Sequence, residues 1–261
     1  MLNLKYIKHH NCVEWQGYDV INNNIYRNFM ENNVRNRLND TDGQAIVQPY
    51  LRSLASTGFE IDNLNALLNA KPQKERDWAV GESFSESMLE NQLGAIFPWN
   101  HARDLKNEKA SLPGADIVGL INDGGQYKFL FGEVKTSTEE AFPPNVMYGR
   151  GGMIYQLETI GTNFTRLMTL ITWLVYRCKA TEFETNFNEA FRYLIQNTNK
   201  GMYLVGILVR PNILANEDDL RSRGVSLDNT FNGTSAKILL QAYYLPHSLS
   251  DFADLAIGGK P

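Results

Sequence analysis

One stretch constrains this chain more than any other: residues 113–136, which read PGADIVGL, INDGGQYK and FLFGEVKT in succession. Apolar residues on either side of Asp123-Gly124-Gly125 predict a β-hairpin, because glycine supplies the positive φ that a tight turn needs. The first strand carries Asp116 and the second carries Glu133 and Lys135, so three charges meet at one end of the hairpin. Successive strand side chains alternate faces, which puts Tyr127, Phe129, Phe131, Glu133 and Lys135 on the same side. An apolar face therefore ends in a carboxylate and an ammonium, and burying those charges unpaired would be costly. Carboxylates gathered by adjacent strands make a hard-oxygen pocket suited to Mg²⁺ or Mn²⁺. A nearby lysine can orient a water or offset charge developing on a phosphate. This is the logic of metal-assisted phosphodiester hydrolysis. The same residues also fit an ordinary hairpin with a surface ion pair between positions i and i+2.

At 261 residues the chain can form one large domain, or a core with a modest accessory region. Its formal net charge is −4, so no global basic field advertises nucleic acid. Phosphate contacts would have to come from a local patch or a basic partner. Cys12 and Cys178 are far apart and lack metal-ligand spacing, which points to a reducing cytoplasm. With no leader pattern and no apolar run near the ~18 residues of a membrane span, neither export nor membrane insertion is expected.

Residues 1–76 are rich in Asn and carry no catalytic constellation; they read as an accessory region with some helices, its His9-His10 pair on a solvated strand. Lys71, Lys74 and Arg76 read as part of a linker, and residues 77–261 as the core. From Asp77 to about Phe97 the spacing predicts a helix. At ~100° per residue, Trp78, Leu89, Leu93 and Ile96 form one stripe, with Glu82 at its centre, Glu86 at its edge and Glu90 further round. A carboxylate inside an apolar stripe needs a partner, unless it is simply held by the helix N-terminus. The following loop carries His101, Arg103, Asp104, Lys106 and Lys109, of which Arg103 is a candidate phosphate contact. After the hairpin, Gly149-Arg150-Gly151-Gly152 precedes a helical pattern, where glycine-rich backbone and Arg150 could receive a phosphate oxygen or could form an ordinary flexible loop. Leu157, Ile160, Phe164, Leu167, Ile171 and Leu174 predict a single continuous amphipathic helix from Met153. A second helix is expected at about 182–196, and buried strands at Met202–Val209 and Lys237–Leu245. The charged segment 217–223 reads as exposed, and the tail ending Gly258-Gly259-Lys260-Pro261 as frayed.

The hairpin charges resemble the signature of the PD-(D/E)XK nuclease superfamily, an acidic residue on one strand followed by (D/E)-x-K on the next. Gly114-Ala115-Asp116 stands where that family has Pro-Asp, and Glu133-Val134-Lys135 matches the second half. The resemblance implies an α/β fold, a restriction-endonuclease-like mixed sheet flanked by helices. It implies that Asp116 and Glu133 hold one or two Mg²⁺ (or Mn²⁺) ions, that Glu82, or failing that Glu86, adds a ligand from the preceding helix, and that Lys135 steers the attacking water. Gln156 stands where some members place a Gln that contacts DNA or positions the site. Within the superfamily, the strings GES, PWN, ARD, GADIVG and LFGEVKTS are similar to the nuclease subunit of the Hachiman anti-phage defence system. That likeness implies a DNA substrate and a helicase partner that restrains the nuclease. A free-standing restriction or repair endonuclease, an RNA-directed nuclease and a non-catalytic adaptor with a structural hairpin remain the alternatives.

Overall fold

The computed structural model describes residues 1–70, 77–104 and 114–257. In chain order, β1 (Leu2–His10) and β2 (Val13–Val20) lead into α1 (Asn24–Asn28), a π-helical turn (Phe29–Val34) and α2 (Arg35–Leu38). Then come α3 (Thr41–Leu54), α4 (Gly58–Leu68) and α5 (Asp77–Leu93). The hairpin β3 (Ile117–Asp123) and β4 (Gln126–Thr136) follows, then α6 (Met153–Thr162), α7 (Phe164–Cys178) and α8 (Glu184–Gln196). The chain closes with β5 (Met202–Pro211), α9 (Arg221–Phe231), β6 (Lys237–Leu245) and α10 (Leu249–Ile257). The expected α/β class, a mixed sheet flanked by helices, is what these elements form. The sheet has six strands in the order β1-β2-β6-β5-β4-β3. Its inner strands β2, β6, β5 and β4 are parallel, and β1 and β3 close the edges antiparallel.

A strand covered by helices on both faces must be apolar throughout, which is why the run Met202–Val209 is central: β5 is buried from Met202 to Arg210. One face, carrying Phe129, Phe131, Leu204, Leu208 and Leu240, packs under α6, α7, α8 and α9. The opposite face, with Leu130, Val134, Val205, Ile207 and Tyr243, packs against α5, α10 and the helical stretch from Tyr26 to Val34.

Three regions differ from the pattern expected of the sequence. Residues 2–20, expected within the accessory region, supply two of the six strands, and β2 pairs with β6 from Val13–Ile238 to Asp19–Tyr244. The helix expected to run on from Met153 breaks at Asn163, whose side chain accepts from Arg166 N and so caps α7 as a new helix, leaving Phe164 60% exposed. The segment at 217–223, expected to be exposed, buries Asp219 completely against Arg210. By contrast α4 buries no residue and α3 only Gly43. Ile46, Tyr50, Leu54, Phe59 and Leu67 are exposed on this helical pair. Lys71, Lys74, Arg76, Lys106, Lys109 and the tail after Ile257 lie outside the described residues. Among the described residues no helix is long and apolar enough to cross a membrane.

Candidate active site

Gly124 and Gly125, at φ 64° and 90°, turn β3 into β4. The antiparallel register then runs from Asp123–Gln126 to Ile117–Gly132. One step beyond Ile117, Asp116 Oδ2 accepts a 2.8 Å hydrogen bond from the backbone N–H of Val134, which fixes that carboxylate beside Glu133. Glu133 is 5% exposed. Lys135 Nζ donates to its Oε1 at 2.6 Å, whereas its Oε2 is buried with no hydrogen-bond partner. The hairpin thus brings Asp116, Glu133 and Lys135 together at one strand end.

Electrostatics at this end are dominated by buried and half-buried carboxylates that influence one another. Burial, and then the charge of Asp116, push the Glu133 carboxyl up to about 7, against the opposing pull of Lys135. Burial also raises Asp116, opposed by the Val134 N–H, Lys135, His101 and Arg166. From the neighbouring helix α5, Glu82 reaches the same locality and burial lifts it to about 7, with His101 opposing and Asp116 reinforcing the rise. His101 Nε2 lies 3.3 Å from Glu82 Oε2, and Nδ1 3.8 Å from Glu86 Oε1. Burial would lower the imidazole, but these two carboxylates outweigh it and hold it protonated, up to about 10. Glu86 is further bound by Arg37 Nη1 at 2.8 Å, and Nη2 of the same guanidinium pairs with Glu90.

A cavity of about 630 Å³ opens beside this end of the sheet. Glu82, Glu86 and His101 line it together with Asp116, Gln156 from α6 and Arg166 from α7; Glu133 and Lys135 do not line it. Gln156 Oε1 accepts from Arg166 Nη1 at 2.6 Å, and Arg166 Nη2 donates to Gly114 O at 3.0 Å. The position at the carboxyl end of parallel strand β4 is where open α/β sheets form crevices.

The sequence candidates are distributed unevenly. Asp116, Glu133 and Lys135 converge; Glu82 and Glu86 face the cavity from α5; Gln156 lines it. Arg150 is exposed, and its carbonyl accepts from Gln156 Nε2 at 2.5 Å. Arg103 is turned away to a two-point ion pair with Asp40, at 2.7 Å through both Nε and Nη2, and is thereby removed as a free phosphate contact. Arg166 and the roles of His101 and Arg37 were not legible in the sequence. Each reaches the site through tertiary packing alone, and no local spacing signals it.

As a donor set, two carboxylates with one buried, unpartnered oxygen suit a hard divalent cation, since Mg²⁺ is commonly held by one or two carboxylates and keeps several waters. Among the described residues no group of three or more His, Cys, Asp or Glu side chains converges at metal-holding distance, because Glu82 and Glu86 are engaged by His101 and Arg37. No protein-family model, no curated protein and no solved structure matches this chain.

Proposed function

We propose that this chain is a metal-dependent nuclease that hydrolyses DNA phosphodiester bonds, with a PD-(D/E)XK-like core. The observation that carries the reading is the meeting of Asp116, Glu133 and Lys135 at one strand end with Glu133 Oε2 buried and unpartnered. Asp116 and Glu133 would hold Mg²⁺ or Mn²⁺, which when bound supplies Lewis-acid stabilisation of phosphate oxygens. Lys135, tied to Glu133, orients the attacking water and offsets negative charge growing on the phosphate. Arg166 and protonated His101 add positive potential on the cavity wall, and Glu82 is the helix carboxylate free to turn inward when His101 lets go.

The likeness to the Hachiman nuclease subunit, together with the charge distribution, favours action beside a helicase partner in an anti-phage complex. Net charge is −4, and around the cavity Arg37, Arg103 and Arg177 are already paired with Glu86, Asp40 and Asp104. Among the described residues these arginines are not left for gripping a duplex unaided, and the apolar outer faces of α3 and α4 offer contact area to another protein. Free thiols at Cys12 and Cys178 are compatible with a reducing cytoplasm. The adaptor reading retains one specific observation in its favour, the closure of Glu82 and Glu86 onto His101 and Arg37 with no three-ligand cluster among the described residues.

The test is cleavage of plasmid and linear DNA in Mg²⁺ or Mn²⁺ by wild type, Glu133→Ala and Lys135→Ala, each alone and with a co-purified helicase-like partner. Loss of cutting in both variants with folding retained supports the nuclease. Equal residual cutting by all three proteins would mark contamination and favour the adaptor.

A further inference from the structure

The tryptophans of this chain are not scattered. Of its four, Trp15 is buried in the core, while Trp78, Trp99 and Trp173 all line the cavity beside Asp116. Three different places in the chain supply them: the first turn of α5, the loop after it, and the middle of α7.

Two of these rings are fixed in place. Trp99 Nε1 donates to Asp104 Oδ1 at 3.2 Å and Trp173 Nε1 to Asp104 Oδ2 at 2.9 Å. Arg177 Nη2 closes on both Asp104 oxygens at 2.8 Å, and its Cζ lies 3.9 Å from the Trp173 ring centroid and 5.5 Å from that of Trp99. Arg103, anchored on Asp40, has its Cζ 4.9 Å from the Trp99 centroid. Both indole N–H groups are therefore spent within the protein. Guanidinium groups already lie near both rings, so what these two half-buried rings offer a ligand is the part of their π surface that lines the cavity, which recognises a planar aromatic group without reading its hydrogen-bonding edge.

The other walls agree with a planar, partly apolar guest next to an anion. Val118 and Leu170 continue the apolar lining, and Arg166, which donates to the neutral acceptors Gln156 Oε1 and Gly114 O, brings a cation to the same space as Asp116. At about 630 Å³ the cavity falls among pockets that enclose single small molecules. A base pair inside a duplex cannot present its faces to it, because both are already stacked on neighbouring pairs; an unpaired base can.

We infer that this cavity stacks an unpaired nucleobase, so that the preferred substrate is single-stranded or locally opened DNA whose adjoining phosphate lies at Asp116. This rests on the nuclease reading above and goes beyond it by naming the form of the substrate. It also gives a partner that opens DNA a chemical reason to act upstream of the cut, since the opened strand is the form that the cavity accepts.

The test separates binding from cutting. The full chain is titrated in EDTA with three fluorescent oligonucleotides carrying 2-aminopurine: a single strand, a blunt duplex, and a duplex in which the 2-aminopurine is unpaired. The same three are then offered for cleavage in Mg²⁺. Expected are quenching of 2-aminopurine and binding roughly tenfold or more tighter for the single strand and the unpaired-base duplex than for the blunt duplex, the scale of one base–aromatic stack. Trp173→Leu and Trp99→Leu should lose that preference, and Trp173→Phe and Trp99→Phe should keep most of it. If a leucine variant does not fold, the wild-type preference among the three oligonucleotides decides the matter. Equal or tighter binding of the blunt duplex without quenching overturns the base pocket, even if Mg²⁺-dependent cutting proceeds and the nuclease reading stands. No binding and no cutting of any oligonucleotide overturns both.

Discussion

Two clusters of buried charge lie on this sheet, and they are built to opposite ends. Behind β5 and β6, Arg210 and Asp219 are both 0% exposed and pair directly. Tyr244 Oη donates to the second Asp219 oxygen at 3.0 Å, Arg210 also donates to the Glu139 carbonyl, and Tyr6 is hydrogen-bonded to Tyr244 at 2.8 Å. Every carboxylate oxygen there has a donor, although Arg210 Nε does not have an acceptor. At the end of the hairpin the orphan is an acceptor instead, Glu133 Oε2, and the largest influence after burial is a second carboxylate, Asp116. Burial raises the carboxyl in both places, with Asp219 reaching about 6. What opposes the rise differs: an arginine and a tyrosine at Asp219, and a lysine working against a like charge at Glu133. In the first cluster both carboxylate oxygens are satisfied and the two charges cancel as a pair. The second has surplus negative charge beside a cavity, the condition under which a cation has something to bind.

The sharpest way to break this contrast is to remove one partner from each cluster. Asp219→Ala leaves Arg210 buried and unpaired and should cost about 3–5 kcal/mol of folding stability in urea titrations; a loss below about 1 kcal/mol would show that the cluster is not closed as described. Glu133→Gln should reverse the pattern. Cleavage should fall by roughly 10²–10³-fold, the scale of losing one preorganised charged group, while the urea midpoint stays level or rises because the buried charge with one unpartnered oxygen has gone and the amide oxygen can still accept from Lys135. Mg²⁺ gives a readout that does not depend on activity: at 100 times its Kd it should stabilise the wild type by about 2.7 kcal/mol and leave Glu133→Gln unmoved in thermal melts.

A pH series sharpens the same comparison. Glu133 titrates near 7 in the folded chain and at its ordinary 4.5 when unfolded. A carboxyl raised by folding contributes stability that is fully present below its unfolded pKa and lost as pH rises through its folded one. Metal-free protein should therefore lose on the order of 1–3 kcal/mol from this group between pH 4.5 and about 7. Urea midpoints of Glu133→Gln over the same range should be flatter than wild type, and an identical slope would remove Glu133 from the account. The smallest effects belong to the arginines proposed for the phosphate. Arg103→Ala should cost only about 0.2–1 kcal/mol of stability and leave the salt dependence of DNA binding unchanged, because Arg103 is spent on Asp40. Arg150→Ala should instead reduce the salt slope by about 1.

The sequence by itself determined the parts that depend on neighbours in the chain. A Gly-Gly turn between alternating apolar strands specifies the hairpin, and its period of two puts Glu133 and Lys135 on one face whatever packs there. The apolar runs of β5 and β6 announced buried strands. The helix around Glu82 was legible but its buried face was not: α5 ends at Leu93, Ile96 pairs with Leu120, and Val80, Phe84 and Met88 enter the core, so Glu82 lies on the cavity side rather than inside the core stripe. Less was legible where the deciding contact comes from far away. β2 alternates Val13 and Trp15 with polar residues and looks like any short strand, and only pairing with β6, more than two hundred residues later, makes it part of the core. Asn163 ends one helix and caps the next although the apolar period runs straight through it, because a local side-chain hydrogen bond competes with the ladder. Asp219 reads as one of three consecutive acids until Arg210 and Tyr244 enclose it. The cavity is of the same kind. Its tryptophans, His101 and Arg166 come from elements that meet only when helices cover both faces of the sheet, and burial and charge pairing belong to that meeting rather than to any one stretch of chain.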